Sequence, residues 1–176
     1  LAGLTFPGTY ALMARRYFHE FDANHDDLVH VSVKNHMHGS MNRYAHIQKE
    51  VSFEKAASGF MVADPLTLYD CCPTSDGASC VVLVADHLAH KFTDTPVWVK
   101  GAGAASDHLA LHDRPSITQL KATQAAASRA YDMAGLTPRQ IDLAEVHDCF
   151  TIAEVLATED LGFAQRGEGG RFARAG

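Results

Sequence analysis

The sequence predicts an α/β fold, in which buried strands alternate with helices. From residue 78 onward, a short run rich in β-branched residues is followed by a helical pattern, then by a second extended run and a long helix. A third extended run and a further helical pattern end near residue 162. Alternation of strand and helix is typical of a sheet that is covered by helices.

The first 60 residues are predicted to be mainly helical. Residues 8–21 carry apolar side chains at helical spacing, with basic side chains on the opposite face. The segment 34–50 has no sustained period and is predicted as a helix followed by a loop. Ser52 and Gly59 bracket a short predicted helix, because Ser caps free backbone amides and Gly suits a helix end.

The middle of the chain changes character at residue 64. Residues 64–92 are predicted as a strand, a turn containing Pro and Gly, a buried strand over 78–84 and a helix over 86–91. Residues 96–106 are predicted to form another strand that runs into small residues.

The last third contains the clearest helical pattern, over residues 115–135. Ser116 is the predicted N-cap of this helix, and Gly135 is its predicted left-handed terminator. A strand over 141–146 and a helix over 151–162 are predicted to follow.

Composition limits the classes of function. Hydrophobic residues make up 47% of the 176 positions and charged residues 20%, which is enough to build a real core. The net charge of -6 argues against a nucleic-acid or anionic-membrane surface, because those surfaces need clustered Lys and Arg. The apolar stretch 78–85 is far shorter than the roughly 20 residues that span a bilayer. We therefore expect a soluble cytoplasmic protein without nucleic-acid or membrane partners.

Residues 147–150 place an imidazole, a carboxylate and a thiol at a predicted strand-to-helix junction. Ligands of open α/β sheets gather at such junctions. His147 could exchange a proton there near neutral pH, or fix a water that stabilises an oxyanion. The alternative is that His147 only caps the helix and that Cys149 packs inside. A hydrolase triad is disfavoured, because three consecutive side chains cannot align as nucleophile, base and orienter.

A second candidate site is the segment 70–79. Pro73 fixes a backbone angle and Gly77 permits a tight turn, so Cys71 and Cys72 are expected on a rigid loop. Such a loop can line a narrow ligand tunnel, but from the residues alone we favour a plain connection between strands with small side chains.

A bound metal is not predicted. The chain has eleven His, but none shows the spacing of an HExxH motif. Its four Cys lack the paired CxxC spacing of a zinc site, so reduced thiols are expected.

Three segments together resemble the thiolase superfamily. They are KNHMHGSMNRYAH (34–46), MVADPLTLYDCCPTSDGASCVVL (61–83) and AEVHDCFTIAEVLATEDLGF (144–163). The resemblance is to the branch of sterol carrier protein x and archaeal acetyl-CoA acetyltransferases, in which HDCF replaces the Asn-Glu-Ala-Phe sequence of other thiolases. It implies a layered αβαβα fold, here as an incomplete, middle-to-late segment.

The resemblance also implies a division of the chain into three parts. Residues 1–66 would be the loop (lid) domain that covers the substrate. Residues 67–95 would end the N-terminal thiolase half, and residues 96–176 would begin a truncated C-terminal half.

For the site, the resemblance implies that His147 stabilises the thioester oxygen. Cys72 and Pro73 would lie along the pantetheine arm of coenzyme A. The reaction implied is thioester Claisen condensation or thiolysis, with the coenzyme A thioester as substrate and no permanently bound cofactor. A homodimer or homotetramer is expected, and an OB-fold partner protein is a further option.

Three catalytic features of thiolases are missing from these residues. They are the nucleophilic Cys, the His of the Gly-His-Pro motif and the C-terminal Cys. Because the reaction needs a covalent acyl-enzyme and a base, we expect the 176 residues to be inactive alone and the parent enzyme to carry the activity. Arg43 also stands where relatives often have Pro.

Two alternatives to an acyltransferase remain. A retro-aldolase of the same fold, acting on a side-chain acyl-CoA, would need no nucleophilic Cys. It would use acid/base groups such as tyrosine, and the sequence does not rank its candidates, which are Tyr10, Tyr44, Tyr69 and Tyr131. The other alternative is a non-catalytic acyl-CoA-binding or scaffolding subunit.

Overall fold

The computed structural model describes residues 3–176, so the first two residues of the predicted loop domain lie outside the described range. Helices dominate this range. They are α1 (Phe6–Phe21), α2 (His25–Met41), α3 (Phe53–Ala57), α4 (Lys121–Ala134), α5 (Thr151–Asp160) and α6 (Gly169–Ala175). Two short strands, β1 (Met61–Ala63) and β2 (Leu66–Thr67), pair in an antiparallel arrangement. Single 3₁₀ turns cover Leu68–Asp70, Asp86–Lys91, Leu111–Asp113 and Pro138–Gln140.

The N-terminal helices form where the sequence predicts them. Helix α1 starts after Thr5, whose side chain accepts a hydrogen bond from the amide of Gly8. Helix α2 has the predicted helix-then-loop form, and irregular chain follows it. The predicted cap of α3 is confirmed, since the Ser52 hydroxyl accepts a hydrogen bond from the Lys55 amide at 3.3 Å.

Helix α4 confirms one end of its prediction and corrects the other. Gly135 follows the helix with a φ of 65°, as a left-handed terminator should. Ser116 is not the N-cap, because its hydroxyl binds within the preceding turn, to Thr118. The helix begins at Lys121, and the amide of Leu120 donates instead to the Asp160 carboxylate of α5. A contact between distant segments therefore replaces the local cap.

Helix α5 lies at the centre of the core, and all ten of its residues are buried. Helices α1, α2, α4 and α6 pack around it. The fully buried large side chains of this core include Tyr17, Leu28, Val31, Leu66, Ile152, Val155 and Leu156. None of the helices in residues 3–176 is long and apolar enough to cross a membrane.

The strands predicted over 78–84, 96–106 and 141–146 are wrong for this structure. All three segments are irregular, and many of their apolar side chains face solvent, including Val81 and Val97, which are 79% and 95% exposed. A strand needs a neighbouring strand to accept and donate its backbone hydrogen bonds, and within the described residues these segments have no such partner. The helix predicted over 86–91 forms at its predicted place, but with 3₁₀ geometry.

Candidate functional site

The two segments that the sequence singles out lie next to each other. We call residues 70–73 the cysteine loop and residues 147–150 the histidine loop. Cys71 and Phe150 form an isolated antiparallel bridge. The amide of Cys72 donates to the carbonyl oxygen of Cys149 at 3.1 Å. The fold therefore joins two sequence-distant loops by their backbones, immediately before the first turn of α5.

The predicted site residues are accessible. His147 is exposed on the histidine loop, and Cys72 and Pro73 are exposed on the cysteine loop. The N-cap of α5 is Phe150, so the alternative that His147 caps this helix is wrong. Cys149 is 4% exposed and packs in the core, as that same alternative expected. The chemical roles of His147, Cys72 and Pro73 stay predictions.

Asp70, which sequence reasoning did not single out, is the buried first residue of the cysteine loop. It is 2% exposed, and its Oδ2 accepts hydrogen bonds from the amide and hydroxyl of Thr67 at 2.7 and 2.9 Å. The same oxygen lies 2.7 Å from Nε2 of His25. Its Oδ1 accepts from the hydroxyl of Thr151 at 2.9 Å. The Thr-x-x-Asp spacing of a capping box was the signal that could have found it.

The ionisation of Asp70 and His25 is coupled. Burial disfavours the charge on Asp70, but the hydrogen bonds from His25 and Thr67 outweigh it and hold the pKa of this carboxyl below its usual range. The hydrogen bond to Asp70 in turn raises the pKa of His25, against the opposing effect of burial. Each group of the pair therefore favours the charged form of the other.

An aromatic group covers the other side of the histidine loop. The ring of Tyr10 stacks on Phe150 with centroids 4.4 Å apart, and Phe6 contacts both rings. Burial and, after it, a hydrogen bond with Cys149 raise the pKa of Tyr10 to about 12. Of the four tyrosines that the sequence could not rank, Tyr10 is thus placed at the site as a neutral phenol.

Asp148 belongs to a polar network rather than to the exposed face of the loop. The amide nitrogen of Asn35 donates to Asp148 at 2.6 Å and to Glu154 at 2.7 Å. Lys34 forms an ion pair of 2.8 Å with Glu154. Burial, followed by the charge of Glu154, raises the pKa of Asp148 to about 7. Its Oδ1 is buried and has no hydrogen-bond partner within residues 3–176.

This network borders a cavity of about 670 Å³ between α2, α6 and the extended chain at 141–146. The four cysteines of the chain are free thiols. In the part of the chain that the structure describes, no group of three or more His, Cys, Asp and Glu side chains could hold a metal ion.

Comparison with known proteins relates the whole chain to thiolases. Residues 103–176 match the family described as Thiolase C-terminal domain-like. The chain is 52% identical to the acetyl-CoA acetyltransferase of Methanothermobacter thermautotrophicus, over 96% of this chain and 44% of the relative. It is 38% identical to the benzoylsuccinyl-CoA thiolase subunit BbsB of Thauera aromatica, over 99% and 45% of the two chains.

The fold comparison agrees. The structure superposes on a chain of the "Ltp2-ChsH2(DUF35) aldolase" with a TM-score of 0.90 and 30% sequence identity, over 99% of this chain and 47% of that one. The predicted thiolase-type fold class is therefore confirmed. The chain spans less than half the length of these relatives.

Proposed function

Because the chain belongs to the thiolase superfamily, we propose that it supplies the middle-to-late segment of an acyl-CoA acyltransferase of the acetyl-CoA acetyltransferase type. The reaction would convert an acyl-CoA and acetyl-CoA into a 3-ketoacyl-CoA and free coenzyme A, or run in reverse. The observation that carries the proposal is the backbone pairing of the cysteine loop with the histidine loop. It puts the exposed His147 beside the loop that would hold the thioester arm.

His147 would act on the thioester oxygen. As a nucleophile adds to the carbonyl carbon, this oxygen gains negative charge, and an imidazole N–H that donates to it, directly or through a water, lowers the barrier. The histidine loop lies at the N-terminus of α5, where the free backbone amides add a partial positive charge.

Cys72 and Pro73 would lie along the pantetheine arm. Pro73 restricts the backbone of the cysteine loop, and the pairing of Cys72 with Cys149 fixes the position of that loop. A loop whose position is fixed before binding orders the flexible arm at a smaller entropic cost than a mobile loop would. Coenzyme A would arrive and leave as part of substrate and product, with no permanently bound cofactor.

The nucleophile would come from another part of the enzyme. Burial raises the pKa of Cys71 to about 11 and also raises the pKa of Cys149, so neither is an effective thiolate near neutral pH.

For the organisation of the chain, we propose a loop domain at 1–66, the end of the N-terminal thiolase half at 67–95 and the start of the C-terminal half at 96–176. A homodimer or homotetramer is proposed with them. The two-component name of the aldolase neighbour supports an additional partner protein.

The test is thiolysis of acetoacetyl-CoA by the full-length protein that carries this segment. His147→Ala should lower kcat by about 100-fold or more, which is the usual effect of removing an oxyanion donor. His87→Ala, at an exposed histidine of the Asp86–Lys91 turn, is the matched control and should leave kcat unchanged. Incubation with acetyl-CoA should add one acetyl group to the intact mass. Full activity of His147→Ala would reject the assigned role.

A second candidate is a retro-aldolase, favoured by the 0.90 TM-score against a protein named as an aldolase. In that reaction an acid/base group of the enzyme would take the 3-hydroxyl proton of a 3-hydroxyacyl-CoA, and the C2–C3 bond would break to give a carbonyl product and an enolate. Tyr10, a neutral phenol beside the histidine loop, would protonate that enolate. Cleavage without any acetylated enzyme, lost in Tyr10→Phe, would select this candidate. Binding of coenzyme A without either activity would select the non-catalytic subunit.

A further inference from the structure

We infer that Asp70 is a positioning residue that locks the cysteine loop to the histidine loop. We name Asp70 with its partners His25, Thr67 and Thr151 the Asp70 clamp. Its expected effect on catalysis rests on the proposed function, whereas its effect on the structure of the two loops does not.

The clamp joins three elements through a single carboxylate. His25 is the first residue of α2, Thr67 ends β2, and Thr151 is the first residue of α5. Every hydrogen-bonding contact of Asp70 reaches one of these three residues, at distances of 2.7 to 2.9 Å. A buried carboxylate with this many donors holds its neighbours in one arrangement, because moving any of them costs the buried charge one of its hydrogen bonds.

The clamp acts directly on the two loops, because Asp70 begins the cysteine loop and Thr151 directly follows the histidine loop. Asp70 is followed by Cys71, and Thr151 is preceded by Phe150, and these two neighbours form the antiparallel bridge. The bond between the Asp70 carboxylate and the Thr151 hydroxyl therefore fastens the same junction from the side chains. The clamp thereby fixes the distance between His147 and the cysteine loop. This distance matters because a misplacement of ~1 Å can cost ~100-fold in rate.

Glu154 is also buried, but it is linked through Asn35 only to Asp148 of the histidine loop, and two further buried carboxylates contact neither loop. Glu159 and Asp160 bind Tyr17, Arg166 and the amides around α4 and α6, away from the two loops. His25 is the solvent-accessible member of the clamp: its side chain is 25% exposed and lines a cavity of about 560 Å³.

The first experiment removes the hydroxyl of Thr151 in the full-length protein and leaves the carboxylate in place. Thr151→Val should lower kcat about tenfold or more, the size expected for one hydrogen bond to a charged group. The matched control is Thr158→Val, which removes a buried hydroxyl of the same helix that bonds only to the Val155 carbonyl. It should leave kcat within about twofold.

The structural readout is alkylation of Cys149, resolved by peptide mass. Cys149 is a buried residue of the histidine loop, at its junction with the cysteine loop, so Thr151→Val should speed its alkylation severalfold, and Thr158→Val should not. Rescue supplies a second test at His25. His25→Gln keeps an N–H that can donate to Asp70 and should retain most activity and slow alkylation, whereas His25→Leu should lose both.

The clamp is overturned if Thr151→Val and Thr158→Val behave alike, or if kcat falls while alkylation of Cys149 is unchanged. It is equally overturned if His25→Gln and His25→Leu are equally impaired. Failure of the proposed function would look different: the wild type would show no acyltransferase activity, and the Cys149 alkylation pattern alone would then decide whether the clamp exists.

Discussion

Helix α5 and the irregular segment 78–84 are both rich in apolar residues, yet the helix is buried and the segment is exposed to solvent. All ten residues of α5 are buried, whereas Val81, Val82 and Leu83 are largely exposed. A helix satisfies its own backbone hydrogen bonds and needs only side-chain neighbours. A strand needs the backbone of another strand. The comparison shows that the helical core is packed from residues of this chain, whereas the segment 78–84 has no strand partner within residues 3–176.

The largest expected effect is at a buried carboxylate of α5. The Glu159 side chain accepts hydrogen bonds from Tyr17, Gly167 and Gly169 and pairs with Arg166. Glu159→Ala should lower the free energy of unfolding by about 3–5 kcal/mol, because it leaves the buried donors without an acceptor and removes one of the two carboxylates that pair with Arg166. Urea denaturation followed by circular dichroism measures it. Glu168→Ala is the control: the half-exposed side chain of this residue pairs, within residues 3–176, only with Arg171, so a loss below about 1 kcal/mol is expected.

The next prediction compares one residue type in the two regions. Leu156 of α5 is fully buried, and Leu109 is 97% exposed in the irregular chain. Leu156→Ala should cost about 3 kcal/mol, since it leaves a cavity in the core. Leu109→Ala should change the unfolding free energy by less than about 0.5 kcal/mol. Equal costs at the two positions would show that the irregular chain is packed in solution.

Asp148 lies at the border of the two regions, and its effect depends on pH. Its pKa is raised from 3.8 to about 7, so the folded protein holds this proton more tightly than the unfolded chain. The resulting stability is complete below the unfolded pKa and is lost as the pH rises through about 7. Replacing the acid by an amide removes this dependence.

Relative to the wild type, Asp148→Asn should therefore gain about 2 kcal/mol in unfolding free energy between pH 5 and pH 8. Denaturant titrations of both proteins across this range measure it. Parallel pH profiles would mean that Asp148 is already ionised at pH 5 in the folded state.

The smallest effect concerns two glycines with open space around the position of a Cβ atom. Gly135 ends α4 with a φ of 65°, and Gly77 lies in the extended region without a positive φ. Gly135→Ala should cost about 1 kcal/mol, because a Cβ disfavours the left-handed region. Gly77→Ala should lie within about 0.5 kcal/mol of the wild type. Thermal unfolding compares the two, and a larger loss at Gly77 would contradict the described conformation.

The helices were predictable because their signals are local. The Ser52 cap and the Gly135 terminator depend on residues within one turn, and both form as expected. The Ser116 cap failed because Asp160, 40 positions away from Leu120 in sequence, takes the amide at the start of α4. The predicted strands failed because the composition of one segment does not show whether another strand lies beside it.

The site was predictable in its loops and not in what holds them together. Resemblance to a known family selected His147, Cys72 and Pro73, and the fold brings their loops into contact. Asp70 and His25 escaped notice because their contacts join residues 45 and 81 positions apart. No periodicity or spacing rule encodes such pairs, although the Thr67–Asp70 spacing was a visible local signal.

Hydrogen–deuterium exchange of the full-length protein, with and without coenzyme A, tests directly whether the cysteine loop and the histidine loop form one site. If the paired loops form one acyl-CoA site, peptides covering residues 70–76 and 147–153 should both exchange more slowly when coenzyme A is bound. The Asp86–Lys91 turn should be unaffected. Binding of coenzyme A that protects neither loop, or only one of them, would contradict a shared acyl-CoA site.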